Sequence, residues 1–222
     1  MELETYQWTG AIAKSVVLAR PSIEEWLDHV PSYARDTIDA KTWDAMAAID
    51  WGGDVAPLRT WLDGVLAGEP VPDSARLIDI ELGDFLNNPP SITIMAHDTF
   101  QPDEFQFGIE GAGVWSREDT WYELAALAKL VPDIIDDDGE DEPDEIDDES
   151  EVSDEDEKQF FAISGLALAH TTLIAVRTLE EALPAVLAEG REPLHVIAGI
   201  HGDDPVLIGT IGTQGWKPIP AE

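Results

Sequence analysis

Five histidines come first, because imidazole is the side chain best suited to proton transfer or metal ligation near neutral pH. They are His29, His97, His170, His195 and His201. The best local cluster is His201 with Asp203 and Asp204, since imidazole and carboxylate at one turn can hold a divalent ion. The same Gly202-Asp203-Asp204 stretch is ordinary hairpin-turn chemistry, so it stands only as a weak metal candidate. His97 and Asp98 close an expected strand that would lie near Asp79 and Glu81 if the two strands pair. No HExxH, GxSxG, SxxK, phosphate-binding loop or EF-hand order is present. Residues 108–113 read GIEGAG, which lacks the GxGxxG order of a dinucleotide loop. Cysteine is absent, which excludes thiol catalysis, thiolate zinc sites and iron–sulfur ligation. Among 47 Asp and Glu some pairs must lie close, so no carboxylate pair is informative about glycoside chemistry. The residues assign no catalytic group and imply no cofactor. An enzyme acting through carboxylates or a divalent ion is the lesser alternative.

Eight tryptophans offer a different chemistry, the apolar anchor of a binding surface. Trp26, Trp43, Trp61 and Trp121 fall on the apolar faces of expected helices and belong to a core. Trp51, Trp115 and Trp216 lie at element ends and are the better candidates for partner contact. Stacking on nucleic-acid bases would need basic residues interleaved with the aromatics. Twelve Lys and Arg scattered over 222 residues do not supply them.

Charge is the largest signal. The formal net charge is −35. Residues 133–157 hold 17 acids and no Lys or Arg, among them Asp136, Asp137, Asp138, Glu140, Asp141 and Glu142. This run carries few large apolar residues and its carboxylates repel one another, so it cannot offset its ordering entropy. It reads as a disordered linker or long loop whose acids are also candidates for partner contact. Outside the run 30 acids still face 12 bases. Such a surface repels nucleic acid and anionic lipid and attracts basic proteins.

The elements that must position these residues read as α/β of the α+β type: mainly antiparallel sheets covered by helices, in two lobes joined by the acidic segment. The expected division is 1–132, 133–158 and 159–222, with one continuous sheet as the alternative. A strand is expected over 11–19, then helices after Ser22 (with Glu25 as a capping box), Thr42 and Pro57. Alternation predicts strands over 77–82, 92–96 and 105–109, the last two as a hairpin. A helix is expected after Asp119 or Thr120, two strands within 161–176, a helix from Thr178, and a hairpin over 194–211. The segment VVLARPSIEEWL echoes LIAVRTLEEAL, each read as strand, arginine and helix start.

The N-terminus starts acidic and its apolar stretch is broken by Lys14 and Ser15, unlike a signal peptide. The apolar stretch 160–176 is interrupted by Ser164, Gly165, His170 and two threonines, unlike a membrane span. A cytoplasmic protein is therefore expected. The functional expectation is an acidic binding or inhibitory protein that neutralises a basic protein partner, as an immunity protein or a nucleic-acid mimic would. The alternative is a salt-adapted surface with an unrelated function.

Overall fold

The computed structural model describes residues 7–83, 90–100, 121–129, 153–185, 187, 189–202 and 205–219. Helix α1 spans Trp8–Ala19 where a strand is expected. The run of β-branched residues around Val16 and Val17 suggests the strand. The buried positions, however, are Thr9, Ile12, Ala13, Val16 and Val17, which is the i, i+3, i+4 stripe of a helix. Arg20 ends it in the left-handed conformation, with φ 52°.

Half of the expected Ser22–Glu25 capping box forms: Glu25 N–H donates to Ser22 Oγ at 3.2 Å, while the Glu25 carboxylate accepts from the Ser22 hydroxyl at 2.9 Å. The chain beyond them tightens into a 3-10 turn, Trp26–His29, instead of a full helix. After the short α2, Ser32–Arg35, comes α3, Ala40–Ala47. Asp39, not Thr42, caps it by accepting from Thr42 N–H. Helix α4, Val55–Gly68, carries Pro57 in its first turn and buries Leu58, Leu62 and Leu66.

The largest departure from expectation is α5. Residues Asp154–Ala182 form one helix of 29 residues, not two strands followed by a new helix. Ser153 caps it, accepting from Asp156 N–H, so the last residues of the acidic run are a helical turn. Residues 162–176 are buried without a break. A segment apolar on all sides has no polar face to reveal its period, and β-branched Thr171, Thr172, Ile174 and Val176 mimic strand composition. The threonines bond within the helix: Thr171 Oγ1 donates to the Ala167 carbonyl at 2.8 Å and Thr178 Oγ1 to the Ile174 carbonyl at 2.7 Å. Among the described residues this is the one helix long and apolar enough to cross a membrane, and 83% of its most apolar stretch is buried inside the fold.

Helix α1 runs alongside α5 in the same direction. Thr9 Oγ1 meets the Phe161 carbonyl, and Arg20 meets Glu180 at the other end. The approach is tight at Gly165, where a Cβ would lie 2.8 Å from Ile12 Cδ1 and 3.2 Å from Thr9 Cα. The two echoing segments therefore enter as helices packed side by side, not as strands.

Among the described residues six strands form one mixed, mostly antiparallel sheet: β1 (Leu77–Leu82), β2 (Ser91–His97), β3 (Trp121–Glu123), β4 (Leu194–Ile200), β5 (Val206–Gly212) and β6 (Gly215–Pro218). The order is β3-β2-β1-β4-β5-β6. Among the described residues only β1 and β4 pair in parallel, and this pair joins the strands before the acidic run to those after it. The α+β class with mainly antiparallel strands is thus present, in the continuous-sheet arrangement. Residues 121–129, expected as helix, are the strand β3 followed by a 3-10 turn, Leu127–Lys129. The expected strand over 105–109 lies outside the described residues.

Alternation along β1 sets the two faces of the sheet. Ile78, Ile80 and Leu82 join the main core with α5, while Leu77, Asp79 and Glu81 point the other way.

Candidate functional site

The histidines divide between the two sides of the sheet. On the face away from α5, His97 Nε2 lies 3.7 Å from Asp79 Oδ2. The expected nearness of His97 to Asp79 follows from β1–β2 pairing, which also sets Leu77 opposite His97. His201 Nδ1 contacts Glu81 Oε1 on the same face. His195 faces Leu77 from β4, stacks on Phe100 at 3.6 Å between ring centroids, and has its pKa lowered by burial. These are separate pairs. Among the described residues no three His, Asp or Glu side chains converge as metal ligands. Asp203 and Asp204, the other members of the weak metal candidate, lie outside the described residues.

His170 occupies the opposite environment. It is fully buried in α5, between Trp51 at 4.5 Å and Trp26 at 5.6 Å between ring centroids. Neither ring nitrogen has a hydrogen-bond partner among the described residues. Burial alone pushes its pKa down to about 3, so the ring is neutral at pH 7.

Two of the three tryptophans assigned to partner contact are buried. Trp51 is 6% exposed, meets Trp26 edge-on at 5.0 Å and donates its indole N–H to the Met46 carbonyl at 2.9 Å. Trp216 is 5% exposed, its ring lying on Gly209, where a Cβ would come within 2.3 Å. An element end next to glycine is open in sequence, but Trp216 is closed by Gly209, on the neighbouring strand β5, whose missing Cβ leaves room for the ring. Trp115 and Asp136, Asp137, Asp138, Glu140, Asp141 and Glu142 lie outside the described residues. Trp121, expected in the core, is 49% exposed on β3.

Asp54 is a residue that sequence reasoning missed. It is 1% exposed, and its carboxylate accepts from Ala125 N–H at 3.1 Å, Ala126 N–H at 2.8 Å and Tyr122 Oη at 3.3 Å. Burial first, then the Asp54 charge and hydrogen bond, push the Tyr122 phenol up to about 12. This carboxylate fastens the β3 turn to the start of α4. Its sequence neighbours Gly52 and Gly53 suggest only a loop.

The described carboxylates otherwise face water. All but Asp54, Asp79, Glu81 and Glu180 are exposed. Several arginines have partners within the chain, two in surface ion pairs and two on backbone carbonyls. Arg20 pairs with Glu180 at 2.8 Å, and Arg59 with Asp63 at 2.9 Å and Glu181 at 2.7 Å. Arg177 donates to the Pro21 carbonyl, and Arg191 to the carbonyls of Pro72 at 2.6 Å and Ala75 at 3.0 Å. A cleft of about 370 Å³ opens where α1, α5 and β6 meet, lined by Val17, Arg20, Leu173, Arg177, Glu180 and Trp216 among others. Its charged groups are largely committed to one another and to backbone.

No family model, curated protein or solved structure matches this chain.

Proposed function

We propose that this is an acidic binding protein of the cytoplasm that neutralises a basic protein partner. The observation that carries the reading is the sorting of charge. Carboxylates on the helices face solvent, while Arg177 and Arg191 are turned onto backbone carbonyls and Arg20 and Arg59 are paired with carboxylates at the surface. Exposed carboxylates outnumber exposed cations among the described residues, so the field outside the molecule is negative. Opposed potentials raise association rates above the neutral value of about 10⁵–10⁶ M⁻¹s⁻¹, and salt removes that advantage. The test is capture of partners from source-organism lysate on the immobilised protein, eluted in salt steps. One stoichiometric basic protein retained above about 0.3 M salt is the expected result. A mixture of basic proteins released together at low salt overturns it.

The spread of exposed acids beyond the run, over α2–α4 and their connections, also supports a second reading, salt adaptation. On that reading the fold needs screening of its own repulsion. A cooperative thermal melt well above room temperature in about 20 mM salt counts against it.

A further inference from the structure

The cleft of about 370 Å³ between α1, α5 and β6 is small, near the lower end of the range of about 300–1,000 Å³ typical of ligand sites. Its floor is narrow and apolar, formed by Val17, Leu173 and Trp216, all nearly buried. Its rim is charged, and the charges are balanced in a way that sets it apart in so acidic a protein. Arg20 and Arg177 stand with Glu180 and Glu181, two of each sign. A solute entering the cleft meets no local excess of either.

Pairing within the rim leaves one group of each sign over. Glu180 is taken: both its oxygens accept from Arg20 Nη2, at 2.8 and 3.1 Å. Arg177 and Glu181 are one helical turn apart on α5, the spacing at which opposite charges commonly pair. They do not pair with each other. Arg177 turns to the Pro21 carbonyl, which engages Nη2 alone, and it meets no carboxylate among the described residues. Glu181 turns to Arg59, which holds Oε2 at 2.7 Å and leaves Oε1 without a partner among the described residues. A guanidinium and a carboxylate oxygen thus remain available one turn apart, beside an apolar floor. The backbone of the rim supports the same arrangement. Arg20 holds φ at 52°, a left-handed conformation that glycine adopts at less cost. Glycine there would remove the side chain that occupies Glu180.

We propose that this cleft binds a free α-amino acid with a small aliphatic side chain. The α-carboxylate takes remaining donors of Arg177, in the planar geometry that guanidinium favours. The α-ammonium faces Glu181 Oε1, and the side chain lies on Val17, Leu173 and Trp216. A zwitterion suits the site on a further ground. It has no net charge, so the field of a protein at −35 does not repel it as it repels a simple carboxylate. A simple amine is drawn to any exposed acid and makes no use of Arg177. This ligand site is independent of the reading of the protein as a binder of a basic partner.

The test is calorimetric titration of the full chain with leucine and two matched probes: isocaproate, which lacks the ammonium, and isoamylamine, which lacks the carboxylate. At about 0.15 M salt leucine is expected to bind with Kd below about 1 mM and at least about tenfold more tightly than either probe. Glu181→Gln changes a side chain that is 72% exposed, and it is expected to bring leucine down to the affinity of isocaproate. Arg177→Gln keeps an N–H donor for the Pro21 carbonyl. It is expected to weaken leucine at least about tenfold and to leave isoamylamine unchanged. An unchanged melting temperature certifies each variant. Should Arg177→Gln unfold, Glu181→Gln and the comparison of the three ligands decide alone. No binding of leucine up to about 20 mM, or equal binding of leucine and either probe, overturns the proposal. So does a leucine preference that either folded variant keeps, because the binding then lies elsewhere on the molecule.

Discussion

The first turn of α5 and its middle are electrostatic opposites on one helix. Residues Asp154, Glu155, Asp156 and Glu157 stand in water beside a helix N-terminus, where negative charge is favoured. Some four turns on, His170 is sealed between two indoles, with no hydrogen-bond partner among the described residues. The lesson is that a net charge of −35 is compatible with an ordinary core because, among the described carboxylates, all but Asp54, Asp79, Glu81 and Glu180 are kept exposed. The same acidification that relieves repulsion at one end of α5 forces a charge into the other.

That contrast can be broken most strongly at its middle. His170 has a folded pKa near 3 against an ordinary value of 6.5. Because the folded pKa is depressed, the neutral ring's contribution to stability is fully present above pH 6.5. It is lost as pH falls from there towards 3. By pH 4 the loss is about 3 kcal/mol relative to pH 7. His170→Leu removes the term, so the gap in stability between variant and parent is expected to move by that amount across denaturant melts at pH 7 and 4. Parallel pH profiles would show that the ring is not buried neutral. Gly165→Val tests the packing that encloses the same stretch. Its Cβ meets Ile12 and the Thr9 backbone, and overpacking there is expected to cost about 1–3 kcal/mol in urea titration at pH 7. An unchanged midpoint would mean that α1 and α5 stand further apart than described. The smallest effect is expected at the acidic end. Ser153→Ala removes the cap and is expected to cost about 1 kcal/mol, with faster hydrogen exchange confined to the first turn. Uniform loss of protection along the helix would mean that this turn is not the weaker part of α5.

The strands were legible where alternation had a polar partner to show it. Leu77–Leu82 and Ser91–His97 alternate in sequence and in burial, and their pairing places His97 beside Asp79 as expected. The caps near Ser22 and the turn at Pro57 were equally visible, being local chemistry. What hid was structure decided by enclosure. Residues 162–176 have no outward face, so nothing in their order separates helix from strand until α1, α4 and the sheet close round them. The site residues failed for the same reason. Trp51 and Trp216 look like exposed ends because the residues that bury them are remote in sequence, and Asp54 looks like any loop acid until the Ala125 and Ala126 amides arrive. Ser153 was the one recoverable signal: Ser followed three residues on by an acid, before an apolar run, is a helix start.

The parallel contact between β1 and β4 also has a consequence for the order of assembly. While the chain is being made, β1 can pair with β2 at once, but its other edge waits for residues 194–200, more than 100 positions later. Until they leave the ribosome, that edge is an unsatisfied row of amides and carbonyls beside the still-unsheltered apolar flank of α5. The nascent chain carries its strand-edge hazard longest in the middle of the future sheet, and synthesis of the last three strands ends it.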